Sequence, residues 1–274
     1  MDIRRQSQKN LLVATKGHPF DRQAFFAMFD AMPGFAWTHV EQPAAARLMS
    51  PPLAQDFAAL VFYDVPGIRF RTLGPPEIVT PPACLQAGFE ALLDIGKPMI
   101  FLHHAMAGWP AWDLYARTIG ARFFYQPGAY KGRAYPDSGY LSAVRYTAAP
   151  LAPHPVTAGL EAGFEIEDEL YLFEMLETDV VPLMRAQFQF EDKNFYSAAQ
   201  ALEGRMRSRA GWSHPPGADV IAWAKRSGNS PVVVLQCGDS GAAFAHAGYR
   251  RLLRNAVDWV TGEAAAAWAR GREP

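Results

Sequence analysis

Short apolar runs alternate along the chain with segments whose apolar residues recur at helical spacing. The first run, 9–17, ends in glycine and predicts a buried strand. The segment after it places phenylalanines at helical spacing behind Asp21, which is a plausible N-cap. The same reading predicts further strands at 35–40, 57–65, 98–104 and 231–240, and helices at 21–32, 85–96, 109–120 and 247–262.

The alternation of these elements predicts the fold class. Near-continuous apolar strands joined by helices are typical of a parallel sheet covered by helices on both faces. The middle of the chain, 122–196, is richer in aromatic and turn residues, and 162–175 is predicted to alternate between strand and loop. Because no repeat or linker interrupts the pattern, we predict one α/β domain over 1–274. Its core spans about 10–262, and a solvated tail covers 263–274.

The composition of the chain limits the classes of binding partner that we expect. The chain has 274 residues, half of them hydrophobic, and a formal net charge of -1, so nothing favours a nucleic acid or an anionic membrane. No apolar run approaches the ~20 residues of a membrane span, and the N-terminus lacks a signal-peptide core. A cytoplasmic protein is therefore expected. The only cysteines, Cys84 and Cys237, are too far apart in sequence for a CxxC motif, so neither a disulfide framework nor a structural zinc site is expected.

Polar residues follow four of the predicted strands. Open α/β sheets bind ligands beyond the carboxyl ends of their strands, so these residues converge on one crevice if the strands are neighbours. They are His18 after the first strand, Tyr63 and Asp64 after the third, His103 and His104 after the fourth, and Gln236 and Asp239 after the last.

The adjacent histidines are the most informative of these residues. Successive strand residues project to opposite faces, so one of His103 and His104 is expected in the crevice and the other beneath it. Imidazole titrates near neutral pH and acts as a general acid or base. The alternative is that the pair only caps backbone groups at the strand end. With other titratable strand-end residues expected nearby, we favour the functional hypothesis.

A run of acids forms a second candidate cluster. Glu167, Asp168 and Glu169 are consecutive and precede Tyr171 in an otherwise apolar segment. One interpretation is an exposed turn or a helix N-terminus, where acids favour the helix dipole. The other is that one acid orients a catalytic histidine or holds sugar hydroxyls. The pattern alone leaves both open.

Several common site motifs are missing from the sequence. It has no GxGxxG after the first strand, no Walker A pattern, no GxSxG and no HExxH. His18, Asp64, His103 and Asp239 are suitable metal-ligand types, but they show no spacing signature. We therefore expect no cofactor and leave a divalent metal open.

Three segments carry a resemblance to a known family. They are "FLHHAMAGWPAWDLYARTIG", "HPVTAGLEAGFEIEDELYLFE" and "VVVLQCGDSGAAFAHAGYRRLLRNAVDWV". Together they resemble the ThuA-like family, the trehalose-utilisation proteins, over about 10–262. The resemblance implies a fold similar to class I glutamine amidotransferases, a flavodoxin-like three-layer sandwich with a mostly parallel central sheet.

The resemblance also implies what the chain does not do. In amidotransferases the strand that corresponds to 98–104 ends in a nucleophile elbow carrying cysteine, and here His103 takes that place. Neither Cys84 nor Cys237 replaces it, so glutamine hydrolysis is disfavoured. The last strand of the family commonly leads into a Leu-Gly-His-Asp-like turn. In this chain Asp239 stands where that histidine is expected, which weakens any transfer of substrate identity.

The family's association with disaccharide and keto-sugar catabolism implies a sugar-directed enzyme with acid/base chemistry. We expect His103 or His104 to move a proton beside a keto group, with Asp168 or Glu169 as carboxylate partner. Two alternatives stay open: a non-catalytic sugar-binding or regulatory module, and a metal-dependent hydrolase. A homo-oligomer is compatible with the aromatic-rich stretches. The expected lining of the sugar pocket is His18, Tyr63, Asp64, Tyr171, Gln236 and Asp239.

Overall fold

Strands and helices alternate along the first third of the chain and at its end, and strands dominate between them. The computed structural model describes residues 8–72 and 75–271. The strands are β1 Lys9–Lys16, β2 Phe35–Glu41, β3 Ala59–Asp64, β4 Ile68–Arg69, β5 Glu77–Ile78, β6 Met99–Leu102, β7 Gly128–Tyr130, β8 Arg133–Tyr135, β9 Gly139–Pro150, β10 Phe164–Leu172, β11 Val180–Ala186, β12 Tyr196–Ser197, β13 Val220–Ser227 and β14 Ser230–Leu235. The helices are α1 Arg22–Asp30, α2 Ala44–Arg47, α3 Pro51–Ala54, α4 Ala83–Ile95, α5 Asp113–Ile119, α6 Ala198–Leu202, α7 Gly241–Ala245, α8 Ala247–Val260 and α9 Glu263–Ala269.

Five parallel strands form one side of the large sheet, up to its edge at β2. They lie side by side in the order β2-β1-β3-β6-β14, and each neighbouring pair is parallel. Taken in chain order this arrangement is 2-1-3-4-5, the flavodoxin-like order. Three of these strands, β3, β6 and β14, are buried at every residue, as expected for strands covered on both faces. The predicted α/β class with a parallel central sheet is confirmed.

An antiparallel extension continues the same sheet beyond β14. Strands β13, β11, β9 and β10 follow in that order, and short β12 pairs with β9. The predicted alternation of strand and loop over 162–175 is wrong. The segment forms the single nine-residue strand β10, because its long pairing with β9 stabilises an acid-rich sequence that local preferences disfavour.

Helices cover both faces of the sheet. One face packs against α1, α7 and α8, and the other against α4 and α5, giving the expected three layers. Helix α8 buries one stripe that includes Leu252 and Leu253, and each such leucine contributes roughly 1.5–3 kcal/mol. The helix boundaries follow local chemistry. Asp21 caps α1 by accepting from the Ala24 N–H at 2.9 Å, and Gly96 ends α4 at a φ of 81°.

Some predicted elements have different bounds in the structure. The predicted strand 231–240 stops at Leu235. The predicted strand 98–104 stops at Leu102, and His103–Ala107 form a 3₁₀ turn. The predicted helix 109–120 begins only at Asp113. The reason is Trp109, which has a φ of 44° and whose N–H bonds to the Pro66 carbonyl at 2.6 Å, a conformation outside a helix.

The expected solvated tail is also corrected. Residues Glu263–Ala269 form α9, which contacts β13 and β14 and buries Ala265 and Ala269. Its Trp268 ring lies 5.3 Å from that of Trp259, so this segment belongs to the core. Residues 1–7, where no signal-peptide core was expected, and the last residues of the predicted tail, 272–274, lie outside the described part. Within 8–72 and 75–271 no helix is both long enough and apolar enough for a membrane span.

Candidate functional site

The carboxyl ends of β1, β3, β6 and β14 meet at one edge of the sheet because these strands are parallel neighbours. The chain leaves β6 in a sharp turn, with His103 at a φ of 26°, which non-glycine residues rarely adopt. This turn stands where the resemblance predicted an elbow. It directs both histidine rings inward, with His103 0% and His104 1% exposed.

His103 is bonded at both ring nitrogens. Its Nδ1 donates to the Gln236 carbonyl, and its Nε2 lies 3.1 Å from Glu169 Oε2. The other oxygen of Glu169 accepts from Ser142 Oγ at 2.7 Å. Burial opposes protonation, but the bond to Glu169 and the charge of Asp239 outweigh it and raise the pKa of His103 to about 9. With acceptors on both nitrogens, the ring is an imidazolium at neutral pH.

His104 has the opposite environment. Its Nε2 lies 3.0 Å from Asp239 Oδ1, which is ion-pair distance. The direction of approach does not satisfy hydrogen-bond geometry, and neither ring nitrogen has a hydrogen-bond partner. Burial, reinforced by the charge of His103 against the pull of Asp239, lowers the pKa of His104 to about 3. The ring is therefore neutral, although the ion-pair distance alone would suggest the contrary.

The residues that reach solvent are not the histidine pair. The side chain of Glu169 is 12% exposed and that of Asp239 is 26% exposed, and His18 is exposed with its ring 4.2 Å from the ring of His104. The sequence pattern predicts that one of the two histidines lies in the crevice and the other beneath it. The structure puts both beneath an outer layer formed by His18, Glu169 and Asp239, which separates them from solvent.

Asp168 holds the turn that carries Asp239. Its carboxylate accepts from the Gly238 N–H at 2.6 Å and from the Asp239 N–H at 2.9 Å. Gly238 has a φ of 104°, and a Cβ there would lie 2.1 Å from the Tyr249 hydroxyl, so only glycine fits. Of the two predicted carboxylate partners, Glu169 contacts a histidine, whereas Asp168 contacts the backbone. Burial opposes ionisation of Asp239, but the adjacent histidines hold its pKa well below the usual range.

Aromatic rings form one wall of the site. The ring of Tyr63 lies 4.5 Å from that of His104, and its hydroxyl donates to the Asp239 carbonyl at 3.4 Å. The ring of Tyr171 lies 4.1 Å from that of His103. Phe123 continues the wall, 4.3 Å from Tyr171. The sequence predicted both tyrosines here but missed Phe123, for which the only signal was its place in an aromatic-rich stretch.

Two predicted pocket residues have unexpected roles. Gln236 belongs to the site mainly through its carbonyl, which accepts from His103. Asp64 lies on the opposite face of the sheet, because side chains alternate along β3 and Tyr63 takes the site face. There Asp64 accepts from Gln42 Nε2 at 2.7 Å, while its other oxygen has no partner. Burial raises the pKa of Asp64 to about 6.

Two overlapping groups of side chains within the described part of the chain could hold a metal. In each group the ligand atoms lie within 4.8 Å of one another. Both groups contain Asp239, so they are two sides of one site. The first is His18, His104 and Asp239, and the second is His103, Glu169 and Asp239.

Neither cysteine offers a nucleophile at the β6 turn. Cys237 is fully buried after β14, and burial raises the pKa of its thiol. Cys84 is exposed in the first turn of α4.

Comparisons with known proteins agree with this fold. The family profile described as "ThuA: Trehalose utilisation" matches residues 12–260. A ThuA-like protein from Parabacteroides merdae is 15% identical, with a TM-score of 0.61 over 93% of this chain and 90% of that chain. A ThuA-like protein from Bacteroides uniformis is 17% identical, with a TM-score of 0.60 over 93% and 91%. No curated protein matches the sequence significantly. The two ThuA-like structures share the fold of this chain.

Proposed function

Because the chain belongs to the ThuA family of trehalose-utilisation proteins, we propose that it is an enzyme of sugar catabolism that moves a proton at the carbon beside a keto group. The substrate class is an oxidised sugar or glycoside, such as a 3-keto glycoside. The reaction is isomerisation, or cleavage that begins with the same proton transfer.

One observation supports this chemistry above the others. Glu169 Oε2 lies 3.1 Å from Nε2 of the buried His103 imidazolium, and the Glu169 side chain is the member of the pair that reaches solvent. A keto group acidifies the neighbouring C–H bond. Glu169 takes that proton, and the bonding electrons move into the enolate. The buried cation of His103 stabilises the charge that develops close to it, an effect that is strong in a site shielded from water.

The experiment that tests the proposal measures proton exchange at the substrate rather than the formation of product. A panel of 3-keto glycosides is incubated with the protein in D₂O, and loss of the proton beside the keto group is followed by NMR. Glu169→Gln removes the base and is expected to slow exchange by about 10²–10⁴-fold. The matched control is Glu167→Gln, two positions away on β10, where the exposed carboxylate only pairs with Arg145.

A sugar-binding module is the second candidate, and one observation favours it. Both histidine rings are buried, so neither presents its ring to a sugar that enters from solvent. This candidate predicts that a keto-sugar binds while its proton does not exchange, and that Glu169→Gln and Glu167→Gln behave alike in D₂O. Glutamine hydrolysis has no support, since His103 stands at the elbow and the thiol of Cys237 is buried and protonated.

A further inference from the structure

The imidazole of His104 is an unusual group for a protein interior. It is 1% exposed, and neither of its nitrogens has a hydrogen-bond partner. A buried polar group without a partner costs roughly 1–3 kcal/mol, so such groups are rare in folded proteins. Its Nε2 faces Asp239 Oδ1 at 3.0 Å in a direction that does not form a good hydrogen bond. A cation bound to both atoms would give the imidazole the partner that it lacks.

We infer that His104, Asp239 and His18 bind a divalent transition-metal ion of the zinc type. Their ligand atoms all lie within 4.8 Å of one another. Donors about 2.0–2.2 Å from zinc stand roughly 3.3–3.5 Å apart around a tetrahedral ion, so modest side-chain movement closes the site. Two imidazoles and one carboxylate select zinc and its neighbours over Mg²⁺ and Ca²⁺, which prefer oxygen donors.

The surroundings of the three ligands fit this role. Ligating histidines usually donate their second ring N–H to a carbonyl, and His18 Nδ1 lies 3.0 Å from the Pro19 carbonyl, which leaves Nε2 for an ion. The backbone of Asp239 is fixed from both sides: its N–H donates to Asp168 and its carbonyl accepts from Tyr63. The backbone that carries the carboxylate is therefore held in place before any ion arrives.

The second group of possible ligands, His103 with Glu169 and Asp239, does not need an ion. Both nitrogens of His103 already have acceptors, and Glu169 is held by Ser142. That group is complete as an ion pair, whereas His104 is not. The two arrangements are adjacent, because Asp239 Oδ1 is 3.7 Å from His103 Nε2.

Three protein ligands leave a tetrahedral ion with one open position. His18 is exposed and Asp239 is 26% exposed, so this position faces solvent. An ion here offers a Lewis acid for a keto or hydroxyl oxygen, beside the Glu169–His103 pair. Metal binding itself is independent of the proposed sugar chemistry, and each can fail without the other.

The test is zinc binding by the purified full-length protein, after treatment with a chelator and removal of that chelator. Calorimetry with ZnCl₂ is expected to show one ion per chain. Loss of a supporting partner alone weakens metal binding by roughly 10–100-fold, so His18→Ala and Asp239→Asn are each expected to weaken it by about 100-fold or more. His18 is exposed, so its variant tests the site without disturbing the core. Circular dichroism confirms that each variant is folded.

The matched control is His246→Ser, which removes an imidazole outside the site and keeps a residue able to cap α8. It is expected to bind zinc as the wild type does, as is Glu169→Gln. Co²⁺ provides a second measurement, because its visible spectrum reports nitrogen and oxygen ligands. Less than one ion per chain, or wild-type affinity in the folded His18→Ala variant, overturns the inference. Loss of binding in Glu169→Gln but not in His18→Ala also overturns it, in favour of the other group.

Discussion

Tyr63 and Asp64 are adjacent at the end of β3, yet they enter two different polar regions. Tyr63 lies on the site face against His104, within a cluster that reaches solvent through Glu169 and Asp239. Asp64 lies on the opposite face, fully buried, where one of its oxygens has no partner.

The difference shows what separates a site from a buried polar group. On the site face nearly every charge is bonded to another group, and partly exposed carboxylates give a ligand access. On the opposite face a buried carboxylate with one unpaired oxygen raises the free energy of the folded state. Position at the carboxyl end of a strand is shared by both residues, so it does not define the site by itself. The same substitution made on each face should therefore have opposite effects.

The largest effect is expected on the site face, for Asp168→Asn. The carboxylate accepts two backbone N–H bonds from the turn at Gly238 and Asp239. Asparagine offers one oxygen and turns an NH₂ group against the other N–H. Losing a charge-assisted bond and leaving a buried donor unpaired should destabilise the fold by about 3–5 kcal/mol, measured by urea unfolding at pH 7. The exposed Asp94→Asn is the control, and a wild-type midpoint for Asp168→Asn would contradict this account.

On the opposite face Asp64→Asn should stabilise the protein. Burial raises the pKa of Asp64 from 3.8 to about 6. A carboxyl group whose pKa is higher in the folded state binds the proton more tightly there. The wild type therefore loses stability as pH rises from about 4 to about 6, and the loss stays constant above that. Two pKa units correspond to about 3 kcal/mol as an upper value.

The measurement is the difference in unfolding free energy between Asp64→Asn and the wild type across pH 4–8. The difference should be near zero at pH 4 and reach its full value by about pH 6.5. Asparagine keeps an oxygen for Gln42, so the packing is preserved. A difference that does not change with pH would show that Asp64 is not strained by its charge.

The two faces also show which parts of the fold and of the site could be predicted from the sequence. The parallel strands and the convergence of His18, His103 and Asp239 were predictable, because buried strands and the polar residues that follow them are contiguous signals. Asp64 was also expected to line the pocket. Side-chain alternation over the last two residues of β3 places Tyr63 and Asp64 on opposite faces, and that signal was present in the sequence. Both histidines are buried because β6 ends at Leu102, directly before them, and the turn that follows directs their rings inward.

The side-chain partner of His103 could not be predicted from local sequence signals. Glu169 reaches it from the antiparallel extension, and Ser142 holds Glu169 from the neighbouring strand β9. The register of β9 and β10 shifts at this point, where Ala143 adopts a φ of 54°. Such a bulge re-aims side chains and depends on pairing between distant segments. The acid run therefore left Asp168 and Glu169 equivalent in the sequence, although their partners differ completely.

A smaller effect is expected from Tyr63→Phe, which removes the hydroxyl that donates to the Asp239 carbonyl at 3.4 Å. The bond is long and its acceptor is neutral, so its net contribution is about 0.5–1.5 kcal/mol. Proton exchange on a keto-sugar should fall by up to about tenfold, since 1.4 kcal/mol corresponds to that factor. A loss comparable to that of Glu169→Gln would mean that the hydroxyl contacts the substrate instead.

The smallest effect is expected from the matched change on the opposite face, Tyr115→Phe. The Tyr115 hydroxyl is buried and has no hydrogen-bond partner, so its removal breaks no bond and relieves a desolvated polar group. Stability should stay the same or rise by less than about 1 kcal/mol, and proton exchange should not change. If Tyr115→Phe destabilises the protein instead, the hydroxyl is satisfied in solution, and the most direct reason is a bound water shared with Asp64. Asp64→Asn would then give a smaller gain than expected, so the two variants measured together decide whether this face is unsatisfied or hydrated.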